Sequence, residues 1–306
     1  MKIGIVGAGA VGSAAAYAVV LRGSGSELVI IDQKHDKAQA EAADISHATP
    51  MSHPLRVYAG QYADLSGSRV VMLCAGVNQK PGESRLELLK RNAEIFREVV
   101  PQVLSAAPDA VLLVATNPVD LLTGLVADLA GPAWAGRVIG SGTVLDTARL
   151  RTLLAAQAGV DPGHVHGYVL GEHGDSEVIA WSGARVAGLP LGTFMAASGR
   201  AWTAELQAQT ERDVRGAAAQ IIAVKGVTAY GIGAALARIT EAVLRDRRSV
   251  LTVSAPHPEY GVPLSLPRIL GGAGVLQSLP LELTPDESAA LQRSAEILAE
   301  AAGALA

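Results

Sequence analysis

KIGIVGAGAVG, residues 2–12, decides the fold: a β-branched run ends on a cluster of glycines and passes at once into AVGSAAAYAVVLR. The residues before Gly7 suit a strand, and the small residues after Gly9 suit a helix. Gly7, Gly9 and Gly12 then stand where a dinucleotide turn needs them. The first permits the tight turn, the second lets the backbone approach a pyrophosphate, and the third lets helix and strand pack closely, with the helix N-terminus facing the phosphates. Val11 falls in the first helical turn. Asp32 closes the next apolar run, ELVIID at 27–32, at about the 20-residue spacing expected of a carboxylate that binds a ribose hydroxyl. Such a carboxylate repels a 2′-phosphate, so NAD is favoured over NADP. The same residues also admit a plainer role, a glycine-rich turn with a strand-end Asp capping the following helix.

Three further apolar runs follow, RVVMLCAG at 69–76, AVLLVATN at 110–117 and RVIGSGT at 137–143. Near-continuous apolar strands suit a parallel sheet covered on both faces. Between them, KHDKAQAEAADISHA and RLELLKRNAEIFREVVPQVLSAA carry apolar residues at helical spacing. Strand and helix alternate up to about residue 141, and antiparallel-looking strand pairs and helices rich in Gly, Pro and Val follow. The expected class is α/β, with a Rossmann-type doubly wound parallel sheet over 1–141 followed by an α+β substrate-binding domain over 142–306. TPDE at 284–287 predicts a last helix, with Thr284 as N-cap, Pro285 in the first turn and Glu287 closing a capping box.

The 306 residues are 49% hydrophobic and 18% charged, below the usual charged share of about 25%, which points to surface buried between subunits. A net charge of −4 and no basic run beyond RDRR at 245–248 give no field for nucleic acid or an anionic membrane. Cys74, the one cysteine, lies in an apolar run and reads as a small buried hydrophobe. No leader-like start is visible, and the Ala-rich stretch near 216–244 is broken by Lys225, Arg238 and Glu241, so a cytoplasmic chain without a membrane span is expected. The seven histidines show no paired-ligand spacing, so no metal is expected.

Four segments carry polar residues of catalytic type: NQKPGESR at 78–85, TNPVD at 116–120, VLDTARLR at 144–151 and GEHGDS at 171–176. Singly, each has a bland role. Asp146 and Arg149 can form a local helical ion pair, Arg85 and Gln79 can be solvated loop residues, Asn117 precedes a turn proline, and His173 can sit in a strand-end turn. Together they supply an acid/base, its orienter, a carboxylate clamp and a carbonyl polariser, as hydride transfer to a small oxo acid requires.

With these motifs in this order over essentially its whole length, the chain resembles the NAD-dependent L-lactate and malate dehydrogenases, most of all the bacterial lactate branch. The resemblance implies that His173, as imidazolium, donates a proton to the carbonyl oxygen of pyruvate while the nicotinamide delivers hydride to the carbonyl carbon, giving L-lactate. Asp146 would bond the other ring nitrogen and raise the histidine pKa. Arg149 would grip the substrate carboxylate bidentately. Arg85 would polarise the carbonyl as the 78–91 loop closes. Asn117 and Ser141 resemble contacts to the reacting centre and the nicotinamide.

Malate enzymes of the family place an arginine where this chain has Gln79, so an unpaired second carboxylate would be rejected and pyruvate accepted, with Thr228 bounding the other side of the pocket. Arg151, two residues after Arg149, points the opposite way on a helix. In HVHGYVL, His164 and His166 are expected on one strand face. Arg151 and His166 match the positions that bind fructose bisphosphate between subunits in activated bacterial members, implying an activating anion site in a homotetramer. A surface arginine and a capping histidine are the alternative.

Overall fold

The computed structural model describes residues 1–77 and 82–304. Through residue 140 the chain runs β1 (Lys2–Val6), α1 (Ala10–Arg22), β2 (Glu27–Ile31), α2 (His35–Ser46), β3 (Arg56–Ala59), β4 (Ser68–Leu73), α3 (Arg85–Ala106), β5 (Val111–Val114), α4 (Val119–Ala130) and β6 (Val138–Gly140). These six strands pair in parallel in the order β6-β5-β4-β1-β2-β3. The order reverses between β1 and β4, the switch point at which ligands bind in such sheets.

Alternation along each strand feeds two separate cores. Ile3, Ile5, Leu28, Ile30, Val70 and Met72 face one side. Val6, Val29, Ile31, Val71, Leu73 and Val114 face the other. The second side is closed by Leu89, Phe96 and Val100 of α3 with Leu122 and Val126 of α4. β3 has no counterpart in the sequence reading, because RVYA at the sheet edge is exposed to half-buried and lacks a continuous apolar run.

The remainder runs α5 (Val144–Ala158), β7 (Val165–His166), β8 (Val169–Leu170), β9 (Val178–Ile179), β10 (Arg185–Val186), β11 (Leu189–Pro190), α6 (Leu191–Ala197), α7 (Ala204–Lys225), α8 (Tyr230–Leu244), β12 (Ser249–Leu251), β13 (Ser254–Pro256), β14 (Pro263–Ser265), β15 (Arg268–Gly271), β16 (Gly274–Ser278) and α9 (Pro285–Gly303). Its sheets are antiparallel, and a third core gathers Leu150, Leu154, Val165, Ile179, Met195 and Val214. Two of its parts return to the first sheet. β13 pairs with β6 through Ser254 and Gly140, extending the sheet to eight strands. α8 lies against α1, where a Cβ on Gly233 would come within 2.7 Å of the Ala14 carbonyl carbon.

α9 begins as its sequence requires, with Thr284 and Glu287 forming the reciprocal capping box around Pro285. His164 departs from the expected strand: it ends a 3-10 turn, Pro162–His164, and only His166 lies in β7. The His164 N–H donates to Asp161 O at 3.0 Å within that turn, so it is not available to a strand ladder.

Candidate active site

The turn after β1 places each glycine differently. Gly7 has φ +107°, and a Cβ there would meet Ala75 N and the Cys74 carbonyl carbon at 2.5 Å. At Gly12 a Cβ would stand 2.0 Å from Gly7 O, so only glycine lets α1 approach the turn this closely. Gly9 has nothing within 4 Å of an added Cβ and caps α1 without a side-chain hydrogen bond. The first turn of α1, which includes Val11, therefore opens onto space with backbone N–H groups available to an anion.

Asp32, at the end of β2, accepts from Ala8 N at 2.7 Å and from Lys34 N at 3.0 Å. One oxygen thus ties the glycine turn to β2, and the carboxylate stays partly exposed beside it. A bared helix start, an open Gly9 and an adjoining carboxylate fit a dinucleotide with a free ribose diol.

The same sheet end carries Asn117 after β5 and Ser141 after β6. Asn117 is exposed, and its peptide bond to Pro118 is cis. Ser141 is buried, with its backbone N–H donating to Val114 O at 2.8 Å.

His173 enters from the other half of the chain. β8 ends at Leu170, Gly171 turns the backbone at φ +82°, and the His173 backbone N–H donates to Asp120 Oδ2 at 2.8 Å. Its Nδ1 lies 2.6 Å from Asp146 Oδ2 in the first turn of α5. Asp146 Oδ1 accepts from Arg149 Nη1 at 2.7 Å. One buried carboxylate therefore holds both the imidazole and the guanidinium, and Nε2 is the ring nitrogen left for a substrate. The local Asp146–Arg149 ion pair and the Asp146–His173 pair are present together. The His173 side chain keeps 25% of its surface exposed and Arg149 keeps 14%.

The electrostatics favour a charged imidazole. Burial opposes the cation, but the Asp146 carboxylate and its hydrogen bond, with Asp120 and Glu177 further off, outweigh burial and raise the His173 pKa to about 9. Burial also works against ionised Asp146, yet His173 and Arg149 hold its carboxyl below the usual range.

Two carboxyls were not anticipated from the sequence. Asp120 was quoted within TNPVD but given no role. It is buried, and burial lifts it to about 6 against the bond its Oδ2 accepts from the His173 N–H and the nearby Ser254 hydroxyl. Glu177 is buried in the turn that carries His173, and its Oε1 has no hydrogen-bond partner among the described residues. Burial first, and then the nearby Asp146, push its carboxyl up to about 8. The signal for both was adjacency to the quoted motifs, which cannot distinguish a buried carboxyl from a solvated one.

Thr228 lies half-buried between α7 and α8. Arg85 is the first residue of α3, after the Ser84 cap, and its side chain is outside the described set. Gln79 lies outside the described residues. On the opposite side of α5, Arg151 Nε donates to Gly167 O at 3.2 Å and its guanidinium lies over the Tyr168 ring. His166, next to Gly167, is exposed. Among the described residues no cluster of three or more His, Cys, Asp or Glu could hold a metal ion, and no helix is long and apolar enough to cross a membrane.

Residues 1–140 match the family described as lactate/malate dehydrogenase, NAD binding domain, and residues 143–304 match its alpha/beta C-terminal domain. The chain is 62% identical over 298 residues to an L-lactate dehydrogenase of Deinococcus radiodurans, covering 97% of each chain. It is 55% identical to an L-lactate dehydrogenase of Thermus aquaticus, covering 100% of this chain and 99% of the relative. A crystal structure of a minor L-lactate dehydrogenase from Enterococcus mundtii in a ligands-bound form superposes with a TM-score of 0.95 at 39% identity, covering 100% of this chain and 98% of that one.

Proposed function

The chain belongs to the lactate/malate dehydrogenase family, an NAD-dependent group of oxidoreductases, and from that premise we propose that it is a cytoplasmic L-lactate dehydrogenase reducing pyruvate reversibly. The observation that carries the proposal is the Asp146 carboxylate shared between His173 and Arg149. It ties a proton donor from the turn after β8 and a carboxylate-binding guanidinium on α5 to one side chain at the start of α5, the two groups that reduction of a 2-oxo acid requires.

When bound, the nicotinamide cofactor would supply the hydride as NADH or accept it as NAD⁺. His173 Nε2, in the imidazolium form, gives its proton to the substrate carbonyl oxygen and takes it back from the hydroxyl in the reverse direction. Asp146 fixes the tautomer by accepting from Nδ1 and stabilises the cation. Arg149 binds the substrate carboxylate, Arg85 polarises the carbonyl, and Asn117 and Ser141 border the reacting centre. Gly7, Gly9, Val11, Gly12 and Asp32 hold the dinucleotide. We assign the cofactor-binding region to 1–141 and the substrate-binding region to 142–306. The names of the relatives reported above support lactate over malate, as does a neutral residue, Gln79, where malate enzymes of the family carry arginine, with Thr228 assigned to bound the pocket.

The proposal includes a homotetramer with an activating site for fructose bisphosphate at Arg151 and His166. Support comes from the placement of Arg151 against Gly167, next to the exposed His166.

Saturation curves for NADH oxidation with pyruvate and with oxaloacetate test the substrate. A preference for pyruvate of about a hundredfold or more in kcat/KM is expected. A preference for oxaloacetate would overturn the lactate assignment.

A further inference from the structure

Beyond β4 and β5 the sheet ladder stops, yet the two chain ends stay bound through side chains. The Asn92 amide from α3 lies between them and is 1% exposed. Its Oδ1 accepts from Val77 N at 2.9 Å, and its Nδ2 donates to Asn117 O at 2.9 Å. A second stitch lies beside it, where Thr116 Oγ1 donates to Ala75 O at 2.7 Å. Gly76 leaves the space for both, since a Cβ there would meet Thr116 Cγ2 at 2.5 Å and Asn92 Oδ1 at 3.0 Å.

We propose that Asn92 is a positioning residue for the reaction, tying the Asn117 turn to the extension of β4 so that the exposed Asn117 side chain is presented in one fixed place. The inference rests on the assignment of Asn117 to the reacting centre under the proposed function.

The chemistry calls for a carboxamide. A backbone N–H needs an acceptor and a backbone carbonyl needs a donor, and an amide side chain offers one of each side by side whatever the pH. Because those two backbone partners cannot exchange roles, they also fix which end of the amide is which. Among the described residues the Asn92 amide bonds to Val77 and Asn117 and not to His173 or the glycine turn, so its effect passes through those two partners.

Asn92→Asp keeps the acceptor for Val77 and loses the donor for Asn117. Asn92→Leu loses both at similar volume. We expect Asn92→Asp to lower kcat for pyruvate reduction about tenfold, the size of a small misplacement near a reacting centre, while the NADH dissociation constant stays within about twofold. Asn92→Leu should lower kcat at least as far. Amide exchange in the unaltered protein gives a second measurement that does not depend on either variant folding: Val77 N–H should be protected well beyond an open-chain amide.

A purely structural role would reduce melting temperature while leaving kcat of the folded enzyme intact, and that result would overturn the proposal. An unprotected Val77 amide would overturn it as well. If the protein failed to reduce pyruvate while Val77 remained protected, the assigned activity would fall and the tie itself would stand.

Discussion

His173 Nδ1 lies 2.6 Å from Asp146 Oδ2, and that contact sets the charge state of the imidazole. Burial would lower the His173 pKa; Asp146 reverses the sign and carries it to about 9. Pyruvate reduction needs the protonated ring, so its kcat/KM should hold through neutral pH and fall as pH rises through about 9. Asp146→Asn removes the carboxylate, leaves the burial penalty and supports the wrong tautomer. The alkaline limb should move below neutral pH, and kcat/KM at pH 7 should fall by about 10²–10⁴. A pH profile of both proteins decides it, and an unmoved limb would show that Asp146 is not the source of the shift.

Glu177 gives a stability effect of opposite sense to an ordinary surface carboxylate. Its folded pKa, about 8, lies above the unfolded value, so the native state binds the extra proton between roughly pH 4.5 and 8. Stability from this group is full at acid pH and is lost as pH rises through that window. Glu177→Gln cannot ionise. The variant should match the parent near pH 4.5 and exceed it near pH 8.5 by a few kcal/mol at most, of order 1–3 kcal/mol. Calorimetry at the two pH values measures the difference, and equal melting temperatures at both would show that Glu177 is solvated.

How much of this was legible follows from what each residue's neighbours are in sequence. Five of the six parallel strands were readable because residues such as Ile3, Ile5, Val70 and Val71 stand in apolar runs with glycines at their ends. β3 was not, since its pattern belongs to a sheet edge. The pairing of Asp146 with His173 joins residues 27 apart, and no local period encodes it; only the family resemblance connected them. Asn92 looked like one polar residue on the amphipathic α3, and its burial depends on where β4 and β5 end. Asp120 and Glu177 likewise acquire their properties from burial, a tertiary quantity.

The three glycines of the first turn should separate folding from cofactor binding. Gly9→Ala places its Cβ in open space and its backbone is extended, so the variant should fold with a melting temperature close to the parent's. The methyl would occupy the approach to the pyrophosphate, and NADH affinity should drop about ten- to a hundredfold, roughly 1.4–2.8 kcal/mol. Gly12→Ala would put its Cβ 2.0 Å from Gly7 O, against backbone that cannot yield cheaply, and should destabilise the fold itself. Titration of NADH fluorescence with thermal melts tests both. Parental affinity in Gly9→Ala would mean that the dinucleotide does not cross this turn.

Arg151 and His166 carry the regulatory part of the proposal. Arg151 is held by Gly167 O and lies over Tyr168, where burial lowers its pKa from the usual arginine value. A guanidinium kept in place with no carboxylate paired to it among the described residues is ready for a phosphate, and the exposed imidazole of His166 next to Gly167 can add a ring N–H donor. Fructose bisphosphate should therefore lower the pyruvate KM by a factor within the ordinary range of coupling, about 5–150-fold. Arg151→Gln and His166→Gln should abolish that response while leaving unactivated turnover close to the parent's, because neither residue touches the His173 site. Saturation curves at several pH values, with and without the sugar bisphosphate, measure the effect. Curves that coincide at every pH in the parent protein would remove the activating site, and the catalytic assignment would stand without it.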